Sequence, residues 1–113
     1  MDEINYFVGQ KLREVRHIFN EGKKLSAEQF AYLMGETRDR IANYESGRAA
    51  VPVRLLYALY QRGINPVYLL SGEGDIFADN GAGREFRQRL ESRDINIMDS
   101  LTGMRAAAGK IRR

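Results

Sequence analysis

The 113-residue sequence contains no cysteine and no tryptophan, and it has only one histidine and two prolines. The absence of cysteine excludes disulfides, thiolate metal sites and cysteine nucleophiles, and it is typical of proteins from a reducing cytoplasm. The single histidine, His17, excludes a multi-histidine metal site within one chain. We therefore expect a protein that binds no metal and no cofactor and that is not an enzyme.

Long apolar runs are also absent from the sequence. No stretch approaches the roughly 20 apolar residues that a membrane-spanning helix requires. The N-terminus, MDEINYFVGQKLREV, begins acidic and lacks the apolar core of a signal peptide. These observations predict a cytoplasmic protein with no membrane partner.

The formal net charge is only +3, but the charges are unevenly distributed. Residues 73–83 carry three acids and no base, whereas residues 84–113 carry eight bases and four acids. An excess of this size permits nucleic-acid binding without requiring it.

The most informative stretch runs from Leu25 to Gly47 and reads LSAEQFAYLMGETRDRIANYESG. Ser26 with Gln29 three residues later forms a capping box, which predicts the start of a helix. Gly35 predicts the end of that helix, and Thr37 then caps a second one almost at once. Two helices this close must cross at a steep angle. The outer face of the second helix is then left as a ridge, which is the geometry that enters a DNA major groove.

Three further helices are predicted around this pair. An apolar stripe at helical spacing predicts the first, from about Ile4 to Asn20. Pro52 suits the first turn of the fourth helix, which should stop at Gly63. Asn65 caps a fifth helix that Gly72 closes. Five helices joined by short loops predict a compact all-α domain over residues 4–74.

The rest of the chain is divided by composition. The composition of residues 75–83 predicts a flexible acidic linker, with the alternative that Ile76 and Phe77 tuck against the domain. Residues 84–113 are predicted to form a basic helical tail in which Asp94 or Asn96 caps a last helix. Apolar side chains recur there at heptad spacing and form a candidate oligomerisation seam of about two heptads: Ile97, Leu101, Met104, Ala108 and Ile111. Because so short a helix is marginal in water, the tail either docks on its own domain, pairs with a second copy or stays disordered.

The ordered pieces LSAEQFAYLMG, TRDRIANYESG and NPVYLLSGEG lie at spacings that resemble the phage-repressor-like family of helix-turn-helix proteins (Cro-type, xenobiotic-response-element-like) over residues 8–74. The resemblance implies a five-helix lambda-repressor-like DNA-binding domain, here with a C-terminal helical extension. It also implies a homodimer that binds double-stranded DNA and regulates transcription, as a repressor. Glu36 departs from the family pattern, which has an apolar or small residue after the turn glycine, and we expect its side chain to point to solvent.

The resemblance also implies roles for individual residues. Ser26 and Gln29 match positions that hold the DNA backbone. Four positions on the second helix of the pair match those that face base edges: Thr37, Arg38, Asp39 and Asn43.

The chemistry of these side chains suits base reading. Arg38 can donate two parallel hydrogen bonds to guanine, Asn43 can pair with adenine, and Asp39 can accept from cytosine. Arg40 can contact either a phosphate or a base. Arg48 is a second candidate for a phosphate contact, and Arg54 is a third. On an arbitrary helix the same charges would be read as a solvated face of Arg–Asp pairs.

Arg16 and Glu45 resemble a family ion pair that ties helix one to the end of the recognition helix, which is a structural role. Two other functions stay open. One is an antitoxin whose tail binds a partner toxin through the seam and the basic end, GKIRR. The other is an interaction module without DNA binding.

Overall fold

The computed structural model describes the backbone of residues 3–102 and the side chains of residues 3–92. Within the described backbone, six α-helices follow one another: α1 (Glu3–Ile18), α2 (Ala27–Met34), α3 (Arg38–Ser46), α4 (Val53–Gln61), α5 (Pro66–Ser71) and α6 (Gly81–Thr102). Within residues 3–102, β-type pairing is limited to isolated bridges, such as the one between Ile64 and Phe77. The fold is therefore compact and all-helical.

Local sequence signals account for the ends of the short helices. The capping box at Ser26 is present, and Thr37 and Asn65 cap α3 and α5 through their side chains. Gly35 and Gly47 end α2 and α3 in the left-handed conformation, with φ of 70° and 83°, a region that side chains other than glycine rarely adopt.

One core joins these helices. Its fully buried side chains come from every helix from α1 to α5, and from the loop that precedes α5: Leu12, Val15, Phe30, Ile41, Leu55, Leu59, Ile64 and Leu69. Helix α6 adds Phe86, which is 5% exposed and stacks edge-on with Phe19 at 6.1 Å between ring centroids. Of the apolar stripe predicted on α1, Ile4 lies outside the core and is 70% exposed.

The segment predicted as a flexible linker, residues 75–83, is folded against the domain. The Asn65 amide donates to the Ile76 carbonyl at 2.9 Å, and the Ala78 amide donates to the Gly63 carbonyl at 2.8 Å. These bonds pair backbone groups that the end of α4 and the cap of α5 would otherwise leave open. Partly buried Phe77 packs on the core beside them, so its apolar surface outweighs the acidic composition that suggested a free connector.

The tail also begins differently from the prediction. Helix α6 starts at Gly81 instead of Arg84 and continues without a break past Asp94 and Asn96, so neither residue caps a new helix. Of the predicted seam, Ile97 and Leu101 lie on α6 but beyond the described side chains, and the other three members lie outside the described residues: Met104, Ala108 and Ile111. The seam therefore stays a prediction.

None of the helices within residues 3–102 combines the length and the apolar content needed to span a membrane.

Helix α1 crosses α3 at a glycine. A Cβ atom on Gly9 would lie 2.1 Å from the Tyr44 carbonyl oxygen and 2.9 Å from that of Glu45. Both of these atoms belong to the backbone of α3, so they cannot move aside as a flexible side chain would. The absence of a side chain at Gly9 therefore sets how closely the two helices approach.

We predict that Gly9→Ala destabilises the protein by about 1–3 kcal/mol, the usual cost of overpacking a close contact. Chemical unfolding followed by circular dichroism measures this. Gly81→Ala is the matched control, because a Cβ there meets nothing within 4 Å and its stability should not fall. Equal unfolding midpoints for Gly9→Ala and the wild type would contradict the close approach.

Candidate nucleic-acid interface

Helices α2 and α3 are joined by a turn of three residues, Gly35 to Thr37. The Glu36 amide donates back to the Ala31 carbonyl at 2.9 Å, which ties the turn to the last turn of α2. The Thr37 hydroxyl oxygen then accepts from the Arg40 amide at 3.2 Å. The turn is therefore hydrogen-bonded at both ends and holds the two helices in one orientation.

Helix α3 has one buried and one exposed face. Its inner side chains are Ile41 and, three and four residues later, Tyr44 and Glu45, and all are less than a tenth exposed. The side chains predicted to read bases come first along the helix: Thr37, Arg38, Asp39 and Arg40 are all exposed, and Asn43 is half-buried one turn later. These five residues wind around the start of α3, and we call them its ridge.

The start of α2 carries Ser26 and Gln29, and both are exposed. The Ser26 hydroxyl accepts from the Gln29 amide at 3.1 Å, and the Gln29 side-chain oxygen accepts from the Ser26 amide at 2.9 Å. Their first role is therefore to start the helix. The same N-terminus carries the positive end of the helix dipole, which favours an anion such as a phosphate.

Arg48 follows the glycine that ends α3, and its side chain is exposed. Its backbone amide donates to the Asn43 carbonyl at 2.9 Å, which fixes the start of its side chain relative to α3. The geometry leaves the guanidinium on the protein surface, as a contact to a phosphate requires.

A buried ion pair anchors α3 to α1. Arg16 donates from Nε to Glu45 Oε2 at 2.7 Å and from Nη2 to Glu45 Oε1 at 2.9 Å, and it donates from Nη1 to the Leu25 carbonyl at 2.8 Å. Arg16 and Glu45 are only 7% and 8% exposed. The two-pronged geometry fixes both the distance and the rotation of the partners, so one side chain positions α1, α3 and the residue that enters α2.

The side chain of Glu36 is buried, and the prediction that it points to solvent is wrong. It is 2% exposed, and its carboxylate accepts from Arg54 Nη2 at 2.9 Å and from the Tyr44 hydroxyl at 3.4 Å. Arg40 Nη1 lies 3.9 Å from the same carboxylate. The carboxylate turns inward because these three groups replace the water that it loses.

Sequence reasoning missed this cluster, although a signal for it was present. Glu36, Arg40 and Tyr44 are spaced by four residues, which places them on one side of α3 and its cap. Arg54, considered at the sequence level only as a phosphate contact, is bound to this acid and remains 61% exposed.

Electrostatics at the end of α1 also favours a neutral histidine. Burial lowers the pKa of His17, and the neighbouring charges of Arg16, Lys24 and Arg13 lower this pKa further. Because its ordinary pKa is already below 7, His17 adds no positive charge at neutral pH. Within the described part of the chain, no group of three acidic, histidine or cysteine side chains is arranged to hold a metal ion.

Comparisons of this chain with protein-family models, with curated proteins and with solved structures found no match. The function must therefore be inferred from the caps, the exposed side chains and the charges of α2 and α3 themselves.

We predict that Arg16→Met or Glu45→Met alone costs about 3–5 kcal/mol of stability, because each leaves a buried charge without its partner. The double variant should lose less than the sum of the two. Urea unfolding of all four proteins gives the coupling energy.

The exposed pair between Arg84 and Asp79 provides the control, since both side chains face solvent. Asp79→Asn should leave the unfolding free energy unchanged. Strictly additive losses at Arg16 and Glu45 would contradict a cooperative ion pair.

Proposed function

We propose that this chain is a lambda-repressor-like helix-turn-helix protein of the phage-repressor-like family and that it binds double-stranded DNA in a sequence-specific manner. One observation carries the proposal. Helix α3 follows α2 after a three-residue turn, is capped by Thr37 and exposes Arg38, Asp39 and Arg40 in its first turn. A short helix with a polar outer face, braced from behind, is suited to entering a major groove.

The side chains divide into two kinds of contact under this proposal. Ser26, Gln29 and Arg48 hold the phosphate backbone and set the register, while the ridge of α3 reads base edges. Arg38 pairs with guanine and Asn43 with adenine. Asp39 contributes by rejecting sites that place a phosphate or an acceptor against it.

The proposed cellular role is transcriptional regulation by a homodimer in the cytoplasm, as a repressor. Exposed apolar side chains on α4 and α5 support a second copy as a partner: Val53, Tyr57, Val67 and Leu70 are all more than half exposed. Where exposed apolar side chains form a contiguous patch, the patch often marks an interaction site. A dimer of such domains reads two half-sites about one helical turn apart.

We predict that Arg38→Ala and Asn43→Ala each weaken binding to the preferred duplex by about 1–3 kcal/mol and relax the preference at a single base-pair position. Selection of bound sequences from a random DNA pool, repeated for each variant, identifies that position. Each variant removes a side chain from the exposed ridge without touching the core, so its fold should be retained.

Arg62→Ala serves as the matched control, because Arg62 is an exposed arginine at the end of α4. It should keep the wild-type sequence preference. If the Arg38 and Asn43 variants selected the same sequences as the wild type with the same affinity, α3 would not be the reading element.

We also predict a steep salt dependence of DNA binding. Each phosphate neutralised by a lysine or arginine contributes a slope of about −0.9 to the plot of log affinity against log salt. Fluorescence anisotropy with a labelled duplex at several salt concentrations measures the slope. An affinity that does not change with salt would argue against contacts from Arg48 and its neighbours.

A further inference from the structure

The buried acid at the turn between α2 and α3 calls for a functional explanation. Removing a carboxylate from water costs several kcal/mol unless cations and hydrogen bonds replace the solvent. Among the described side chains, the other carboxylates in ion pairs with arginine, Glu45 excepted, are about half exposed or more. Glu36 is 2% exposed and lies one residue before the cap of α3, where an apolar side chain would fill the same space at no electrostatic cost.

The arrangement of charge around Glu36 is asymmetric. The acid lies below the surface, whereas its two partners lie above it: the Arg40 and Arg54 side chains are 62% and 61% exposed. Arg54 uses one nitrogen on the carboxylate at 2.9 Å, and a guanidinium has five N–H donors. Arg54 is therefore tethered through one nitrogen while donors remain that can face outward.

Two consequences follow for a surface that meets phosphate. First, the buried negative charge offsets one of the two arginine charges, so the cluster of Glu36, Arg40 and Arg54 presents a net charge of about +1 in place of +2. Second, the bond to Glu36 partly orders Arg54 in advance, which removes part of the entropy cost of ordering such a side chain on binding.

These two effects act differently on random and on preferred DNA. Sequence-independent binding is almost entirely electrostatic, so the offset charge weakens it directly. Binding to a preferred site also gains from a side chain that is already in place, and this gain compensates for the lost attraction.

We propose that Glu36 is a specificity-determining residue of the DNA interface. This inference rests on the proposed function. The Glu36 carboxylate binds Arg54, offsets part of the charge of Arg54 and Arg40, and thereby lowers the affinity for DNA of arbitrary sequence more than the affinity for the preferred site. Glu36 touches no base itself and acts through the two arginines.

The test compares Glu36→Gln with Glu85→Gln. Both variants remove one negative charge from an ion pair with an arginine, but Glu85 lies on α6 and pairs with Arg89. Anisotropy titrations use two labelled duplexes, the sequence selected by the wild type and a random-sequence duplex, at several salt concentrations. Thermal unfolding checks that each variant is folded.

We expect Glu36→Gln to bind the random duplex roughly fivefold more tightly, with a salt slope steeper by about 0.9, as one further phosphate contact requires. Its affinity for the selected duplex should change less, so the ratio of the two affinities falls. Glu36→Asp keeps the charge and should retain most of the ratio. Glu85→Gln should leave both affinities near their wild-type values.

A second comparison leaves Glu36 in place and so does not depend on the folding of its variants. Arg54→Ala should weaken binding to the random duplex less than Arg48→Ala, because the Arg54 charge is already offset by the buried acid. Equal losses for these two arginines would overturn the proposal, as would a Glu36→Gln variant that behaves like Glu85→Gln. If the wild-type protein bound no duplex at low salt, the proposed function and this inference would both be overturned. If the wild type bound DNA but Glu36→Gln kept the wild-type ratio of affinities for the selected and random duplexes, only this inference would be overturned.

Discussion

The contact between Arg16 and Glu45 is the constraint on which the position of α3 depends. Helix α3 has only nine residues, too few to be stable in water without tertiary support. Its inner face supplies Ile41 and Tyr44 to the core, but apolar contacts alone allow a helix to slide and rotate. The two-pronged ion pair, together with the bond from Arg16 to the Leu25 carbonyl, removes that freedom by joining three separate parts of the chain.

Close packing at Gly9 complements this ion pair. The backbone of α1 approaches the carbonyls of Tyr44 and Glu45 at the point where Gln10 also donates to the Glu45 carbonyl, at 3.0 Å. The acid of the ion pair and the glycine contact therefore act on the same turn of α3, one through its side chain and the other through its backbone. The outer ridge is fixed in angle because the inner face is held at two adjacent points.

The parts of this fold that depend on neighbours in sequence could be predicted from the residues. Ser26, Thr37 and Asn65 act within three residues of themselves, and glycines such as Gly35 act on their own backbone, so their patterns are complete in a short window. The segment 75–83 was mispredicted because its partners are distant in sequence. Its bonds go to Gly63 and Asn65, and composition carries no record of which backbone groups are still unpaired.

Glu36 was mispredicted for a related reason. Burial of a carboxylate is decided by the sum of a large desolvation cost and the interactions that offset it, and one of those interactions comes from Arg54, eighteen residues further along the chain. Arg40 and Tyr44 were visible at helical spacing, but neither alone is enough to bury an acid. The type of side chain sets the free-energy cost of burying it, but only the folded structure determines whether neighbouring groups offset that cost.

A surface that carries both acidic and basic side chains is better suited to distinguishing DNA sequences than to binding any duplex tightly. The ridge of α3 carries Arg38 and Arg40 but also Asp39, and Glu36 lies beneath it. If tight binding to any duplex were its role, lysines and arginines alone would serve better, because the attraction to phosphate does not depend on sequence. Acidic side chains among the arginines reduce this sequence-independent attraction to phosphate. They also repel phosphates and acceptor groups that a wrong site places against them. The net charge of only +3 is therefore compatible with the proposed function, because a modest general attraction would leave the choice of site to the side chains proposed to contact the bases.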